Sequence, residues 1–130
     1  MWNSVRSTAL LASLSIAACG TEPSGAILEG QWGGPELEII ASARGAQVND
    51  GCAVARLFGP VRLDDEGELE IEGTFRTISW RQSFRLQAVR SGNRLQVHMT
   101  RFYDDDESFS VDYTLTEGAA LTHTGLVCPA

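Results

Sequence analysis

Between Glu68 and Leu115 lie four runs in which apolar residues recur at every second position, and this period of two is the strongest limit on what the chain can fold into. Glu68-Leu69-Glu70-Ile71-Glu72 alternates strictly and continues to Phe75. Phe84, Leu86 and Ala88 alternate with Arg85 and Gln87, and Leu95, Val97 and Met99 with Gln96, His98 and Thr100. Phe109, Val111, Tyr113 and Leu115 alternate with Ser110, Asp112 and Thr114. Successive side chains of an extended chain point to opposite faces, so each run makes a strand with one apolar face. Arg44-Gly45, Asp65-Glu66-Gly67, Ser91-Gly92-Asn93 and Glu117-Gly118 are turn signals between such runs. The pattern predicts eight strands, near 31–41, 45–50, 54–63, 68–79, 82–90, 94–102, 108–117 and 120–127. No segment after residue 19 reads as an amphipathic helix. The expected fold class is all-β. Eight consecutive antiparallel strands with one apolar face close into an up-and-down barrel, which leaves no exposed edge. A two-sheet β-sandwich is the alternative.

Composition sets outer limits on function. A net charge of −7 and a pI near 4.7 exclude the basic stripe that nucleic acid requires. They also disfavour electrostatic docking on anionic lipid. A 43% hydrophobic content is that of a globular chain.

The amino terminus carries one arginine, Arg6, then an apolar stretch of about twelve residues from Ser7 to Ala18. A span of the hydrocarbon core needs about twenty. The stretch ends in Ile16-Ala17-Ala18-Cys19, which resembles the lipobox of bacterial lipoproteins. The resemblance implies cleavage before Cys19, a diacylglycerol thioether on its sulfur and acylation of the new amino group. It further implies a signal peptide over residues 1–18; the polar, Gly/Pro-containing stretch that follows reads as a lipidated flexible tether over 19–29, and the alternation places a β-barrel domain over 30–130. Gly20 after the cysteine implies, by Gram-negative sorting rules, the outer membrane of the cell envelope. With Cys19 lipidated, Cys52 and Cys128 remain, and an exported compartment permits a disulfide between them. A catalytic thiol is the poorer reading, because neither histidine adjoins a cysteine in sequence.

Gly30-Gln31-Trp32 opens the first strand as GxW opens the first strand of lipocalins. That resemblance implies a lipocalin-like barrel with Trp32 plugging one end. The arginine that partners the tryptophan in lipocalins has no clear counterpart in the sequence, and their companion loop motif is absent. Trp32-Gly33-Gly34, Gly45-Ala46, Cys52-Ala53, Gly59-Pro60, Leu63-Asp64, Gly67, Gly73-Thr74 and Cys128 also resemble a set of small uncharacterised exported bacterial proteins. This likeness supports the Cys52–Cys128 pair and carries no activity.

Candidate functional residues fall into two groups. Arg101 extends the inward set of Leu95, Val97 and Met99; Tyr113 lies inward between Val111 and Leu115; His123 shares a face with Leu121 and Val127. Together these three are placed to orient a ligand with a polar head. Ile78, Trp80 and Phe102 break the alternation and fall on the polar face, where an apolar patch marks a contact surface. Asp104-Asp105-Asp106-Glu107 reads as a solvated turn, because the spacing and glycine of a calcium loop are missing. No metal site, cofactor or catalytic motif is expected. With so many large residues pointing inward, the sequence favours a filled barrel. The leading expectation is therefore a non-enzymatic protein-interaction module with an envelope protein partner. A carrier for a small apolar or amphipathic ligand is the alternative, and a hydrolase is the last.

Overall fold

The computed structural model describes residues 25–103, 107–122 and 128. Eight strands, β1 (Gly30–Gly34), β2 (Leu37–Ser42), β3 (Gly45–Asn49), β4 (Val54–Phe58), β5 (Glu68–Arg76), β6 (Arg81–Ser91), β7 (Arg94–Phe102) and β8 (Ser108–Glu117), form one closed barrel. Neighbours in sequence pair antiparallel all the way round, and β1 meets β8 through Trp32↔Glu117 and Gly33↔Thr116. This is the up-and-down barrel expected from the alternation, with the geometry of a lipocalin-like fold. The β5–β8 sheet is long and continuous, whereas β4 pairs in register with β5 only at Val54↔Arg76.

Eight strands are present, but not the eight expected. The segment 31–41 is two strands joined at Pro35-Glu36. Glu36 holds a φ of 67°, which makes the sharp reversal possible. Alternation is blind to such a turn, because apolar residues flank it on both sides. The strand expected at 54–63 ends at Phe58, and 61–63 instead bonds to the segment before β1. Leu28 N donates to Val61 O and Leu63 N to Ala26 O, and Leu28 is fully buried. The folded body thus starts at least four residues upstream of Gly30, at Ala26. The strand expected at 120–127 contributes one parallel bridge, Pro35↔Thr122, and residues 123–127 lie outside the described residues. Leu121 N and Gln31 Nε2 both donate to Glu38 Oε2, a carboxylate buried between β1 and the returning chain. Gly33 permits that return, because a Cβ there would overlap the Ala119 carbonyl.

The lumen is filled over most of its length. Trp32, Leu37, Ile39, Phe75, Phe84, Leu86, Leu95, Met99 and Leu115 are at most 2% exposed. In an up-and-down barrel alternate loops gather at opposite ends. The β1–β2, β3–β4, β5–β6 and β7–β8 loops therefore share one end, and the β2–β3, β4–β5 and β6–β7 loops the other. At the second end Trp32 donates from Nε1 to Glu29 O at 3.0 Å, and Arg90 of β6 lies 5.3 Å over its ring. The cationic partner missed in the sequence thus comes from the end of β6.

Candidate functional site

Exposure along the inward face of β8 locates the open end. Leu115 is fully buried, Tyr113 and Val111 are half-buried, and Phe109 is 41% exposed. The barrel is packed at the Trp32 end and opens at the end formed by the β1–β2, β3–β4, β5–β6 and β7–β8 loops. A cavity of about 570 Å³ occupies that mouth, and each of the four loops or its flank contributes to it through Glu36, Asp50, Trp80 and Tyr103. Arg101, Gln82 and Tyr113 project into it from β7, β6 and β8.

Arg101 is the first inward residue of β7 above the packed lumen. Its Nη1 donates to Asp50 Oδ2 at 2.9 Å and to Gln82 Oε1 at 3.1 Å, and its carbon Cζ lies 4.8 Å over the Phe75 ring. Phe75 in turn stacks on Phe84, with centroids 4.5 Å apart. The Arg101 and Asp50 side chains are only 11% and 9% exposed, so each charge needs the other. Burial acts to lower the guanidinium's pKa, but its contacts with Tyr113 and Asp50 outweigh this and raise it above arginine's ordinary value. Arg101 is therefore a fixed cation. Asp50 is held by the β3–β4 loop, where its Oδ1 accepts from the Cys52 and Ala53 amides, both at 2.8 Å. The Cys52–Cys128 disulfide is formed and ties that loop to the end of the chain across 76 residues.

Trp80 is placed by a short turn rather than by strand alternation. Thr77 Oγ1 accepts from Trp80 N at 3.1 Å and Ser79 N at 3.2 Å, and Thr77 N donates to Trp80 O. The turn swings the indole inward against the core, where it lines the cavity. Its Nε1 is buried without a hydrogen-bond partner among the described residues. At the rim Tyr103 stacks on Phe109, with centroids 5.4 Å apart.

Of the residues expected to orient a ligand, Arg101 and Tyr113 meet in this cavity, and His123 lies outside the described residues. The expected patch of Ile78, Trp80 and Phe102 does not assemble. Ile78 stands fully exposed in the turn after β5, Trp80 points into the mouth, and Phe102 faces outward beneath the Arg85 guanidinium. The cause is the turn at 77–80, which resets the period so that Trp80 joins the inward set. Trp32 sits fully buried at the closed end, where a plug would sit. Asp50 and Gln82 were missed, although parity marks both: Asp50 follows Ala46 and Val48, and Gln82 precedes Phe84 and Leu86.

Two other features have the ingredients of sites. His98 Nδ1 and Asp112 Oδ1 lie 2.7 Å apart on the outer wall, 50% and 82% exposed, as a solvated cross-strand pair. A hollow of about 500 Å³ on the wall beside Arg62, Glu70 and His98 is lined largely by exposed side chains. Among the described residues no three His, Cys, Asp or Glu side chains converge as metal ligands. Searches of protein-family models, of curated proteins and of solved structures found no match to the chain.

Proposed function

We propose that this chain is a non-enzymatic binding module whose barrel mouth holds one compact, largely apolar small molecule. The observation that carries the reading is the 570 Å³ cavity at one end of an otherwise packed barrel, with aromatic walls and a buried, hydrogen-bonded arginine. That size and that mixture of apolar walls with a few fixed polar groups suit a small-molecule site. The inward turn of Trp80 weakens the alternative of an outer-face adaptor, because it removes the central member of the proposed contact patch.

We further propose that the module works at the cell envelope, held by lipid on Cys19 and most consistent with an outer-membrane anchor if the cell is Gram-negative. The Ile16-Ala17-Ala18-Cys19 run supports this, and so does the disulfide, which persists in oxidising compartments. Residues 1–24 lie outside the described residues.

The test of the binding reading is titration of the full chain with N-phenyl-1-naphthylamine, an uncharged fluorophore that brightens in apolar surroundings. Saturable binding at one site per chain is expected. Val111→Trp, which fills the cavity from β8, should abolish it while the far-ultraviolet β-sheet signal persists. Absence of saturable binding to the unaltered protein overturns the reading.

A further inference from the structure

We infer that the mouth cavity selects a compact organic acid, a carboxylate on a flat apolar body, which enters acid first. The inference rests on the binding reading and specifies its ligand.

The cavity presents donors and few open acceptors. Both hydrogen bonds from Arg101 to Asp50 and Gln82 leave from Nη1. A guanidinium carries five N–H donors, so Nε and Nη2 remain to serve Tyr113 and the cavity. Trp80 adds an apolar ring to the wall, its Nε1 being buried away from the cavity. Asp50, by contrast, is largely engaged: Oδ1 accepts from two backbone amides and Oδ2 from Arg101. Arg101 lines the cavity, and a carboxylate is the group that answers its remaining donors. Arg81 and Glu36 add one charge of each sign to the lining, so directed donors rather than net charge make the selection.

Depth limits the body of the ligand. Immediately beneath Arg101 the lumen is closed by Phe75, Phe84, Leu86 and Met99, none more than 2% exposed. A long acyl chain has no channel to follow. A ligand whose acid reaches Arg101 keeps its apolar part in the mouth, against Phe109, Val111 and the Tyr103 ring. These walls suit a flat ring.

The experiment displaces N-phenyl-1-naphthylamine from the full chain with 1-naphthoate and with 1-naphthalenemethanol, which share a ring and differ in the acid. Naphthoate is expected to act at roughly tenfold lower concentration, the scale of one charge-assisted hydrogen bond. Arg101→Met combined with Asp50→Asn removes the guanidinium without stranding a carboxylate, and should abolish that advantage while the neutral probe still binds. Equal potency of acid and alcohol overturns the acid inference and leaves the pocket standing. An acid preference unchanged in the double variant overturns the role of Arg101. Palmitate outcompeting naphthoate overturns the limit on depth. A probe that never binds overturns the pocket itself.

Discussion

Arg101 and Asp50 lie 51 residues apart in sequence and meet as a buried ion pair, with Nη1 2.9 Å from Oδ2. The pair joins β7 to the β3–β4 loop on the far side of the barrel mouth, and its cation is the only arginine among the inward residues of β7. It couples the shape of the cavity to its chemistry: Asp50 sets where Arg101 points, and the two backbone amides on Oδ1 set Asp50.

Removing one partner strands the other. Arg101→Met should lower unfolding stability by about 3–5 kcal/mol, because Asp50 is left buried and unpaired. Asp50→Asn combined with Arg101→Met should recover part of that loss. Urea unfolding of the two single variants and the double variant measures the coupling, and simple additivity would show that the pair contributes nothing.

The disulfide acts on the same loop. Cys52→Ser should lower stability by about 4 kcal/mol, from the entropy of the loop it closes. The variant should also bind the naphthyl probe more weakly, because Cys52 N is one of the two amides that hold Asp50. Thermal melts with and without dithiothreitol should differ for the wild type and coincide for the variant. Two free thiols at Cys52 and Cys128 in the unreduced protein would falsify the bridge.

Trp32 and Arg90 seal the packed end. Trp32→Ala removes a fully buried indole and should cost about 3–5 kcal/mol. Arg90→Ala should cost about 0.5–1 kcal/mol through the lost cation–π contact. Neither should alter the acid preference at the mouth; a change in it with Arg90→Ala would show that the two ends are linked.

Acidity of the site is governed by a cation that does not titrate in the working range. The Arg101 pKa is raised by Tyr113 and Asp50 against the opposing effect of burial. A group with a raised folded pKa contributes fully below its unfolded value and loses that contribution only as pH climbs through the folded one. That window lies in strong alkali. The preference for naphthoate over the alcohol should therefore stay constant from about pH 6 to about pH 9, well above carboxylate and well below arginine titration. A preference that fades across this interval would mean that another group holds the acid.

The anchor is tested independently of the barrel. Cys19→Ala should leave the chain unlipidated and move it from the membrane to the soluble fraction on fractionation of the native cell. Intact mass should fall by the acyl groups, and the naphthyl site should persist. Membrane retention of that variant overturns the lipoprotein reading.

By itself the sequence determined that the domain is a strand barrel with one filled face. Period-two alternation at Leu69–Phe75, Phe84–Ala88, Leu95–Met99 and Phe109–Leu115 is a local property, and a strand needs only local alternation to choose its buried face. Cysteine parity and the inward parity of Arg101 and Tyr113 were legible for the same reason. What only the tertiary structure decided depends on turns and on closure. The reversal at Glu36 split one expected strand, and the Thr77 turn sent Trp80 inward and dissolved the expected patch. Asp50 became a partner of Arg101 only when the barrel closed across 51 residues. Whether the lumen is filled or open is likewise a sum over strands from all sides, and no single strand's pattern contains it. It is packed where Trp32, Leu95 and Leu115 converge, and open where the β7–β8 rim outruns the core.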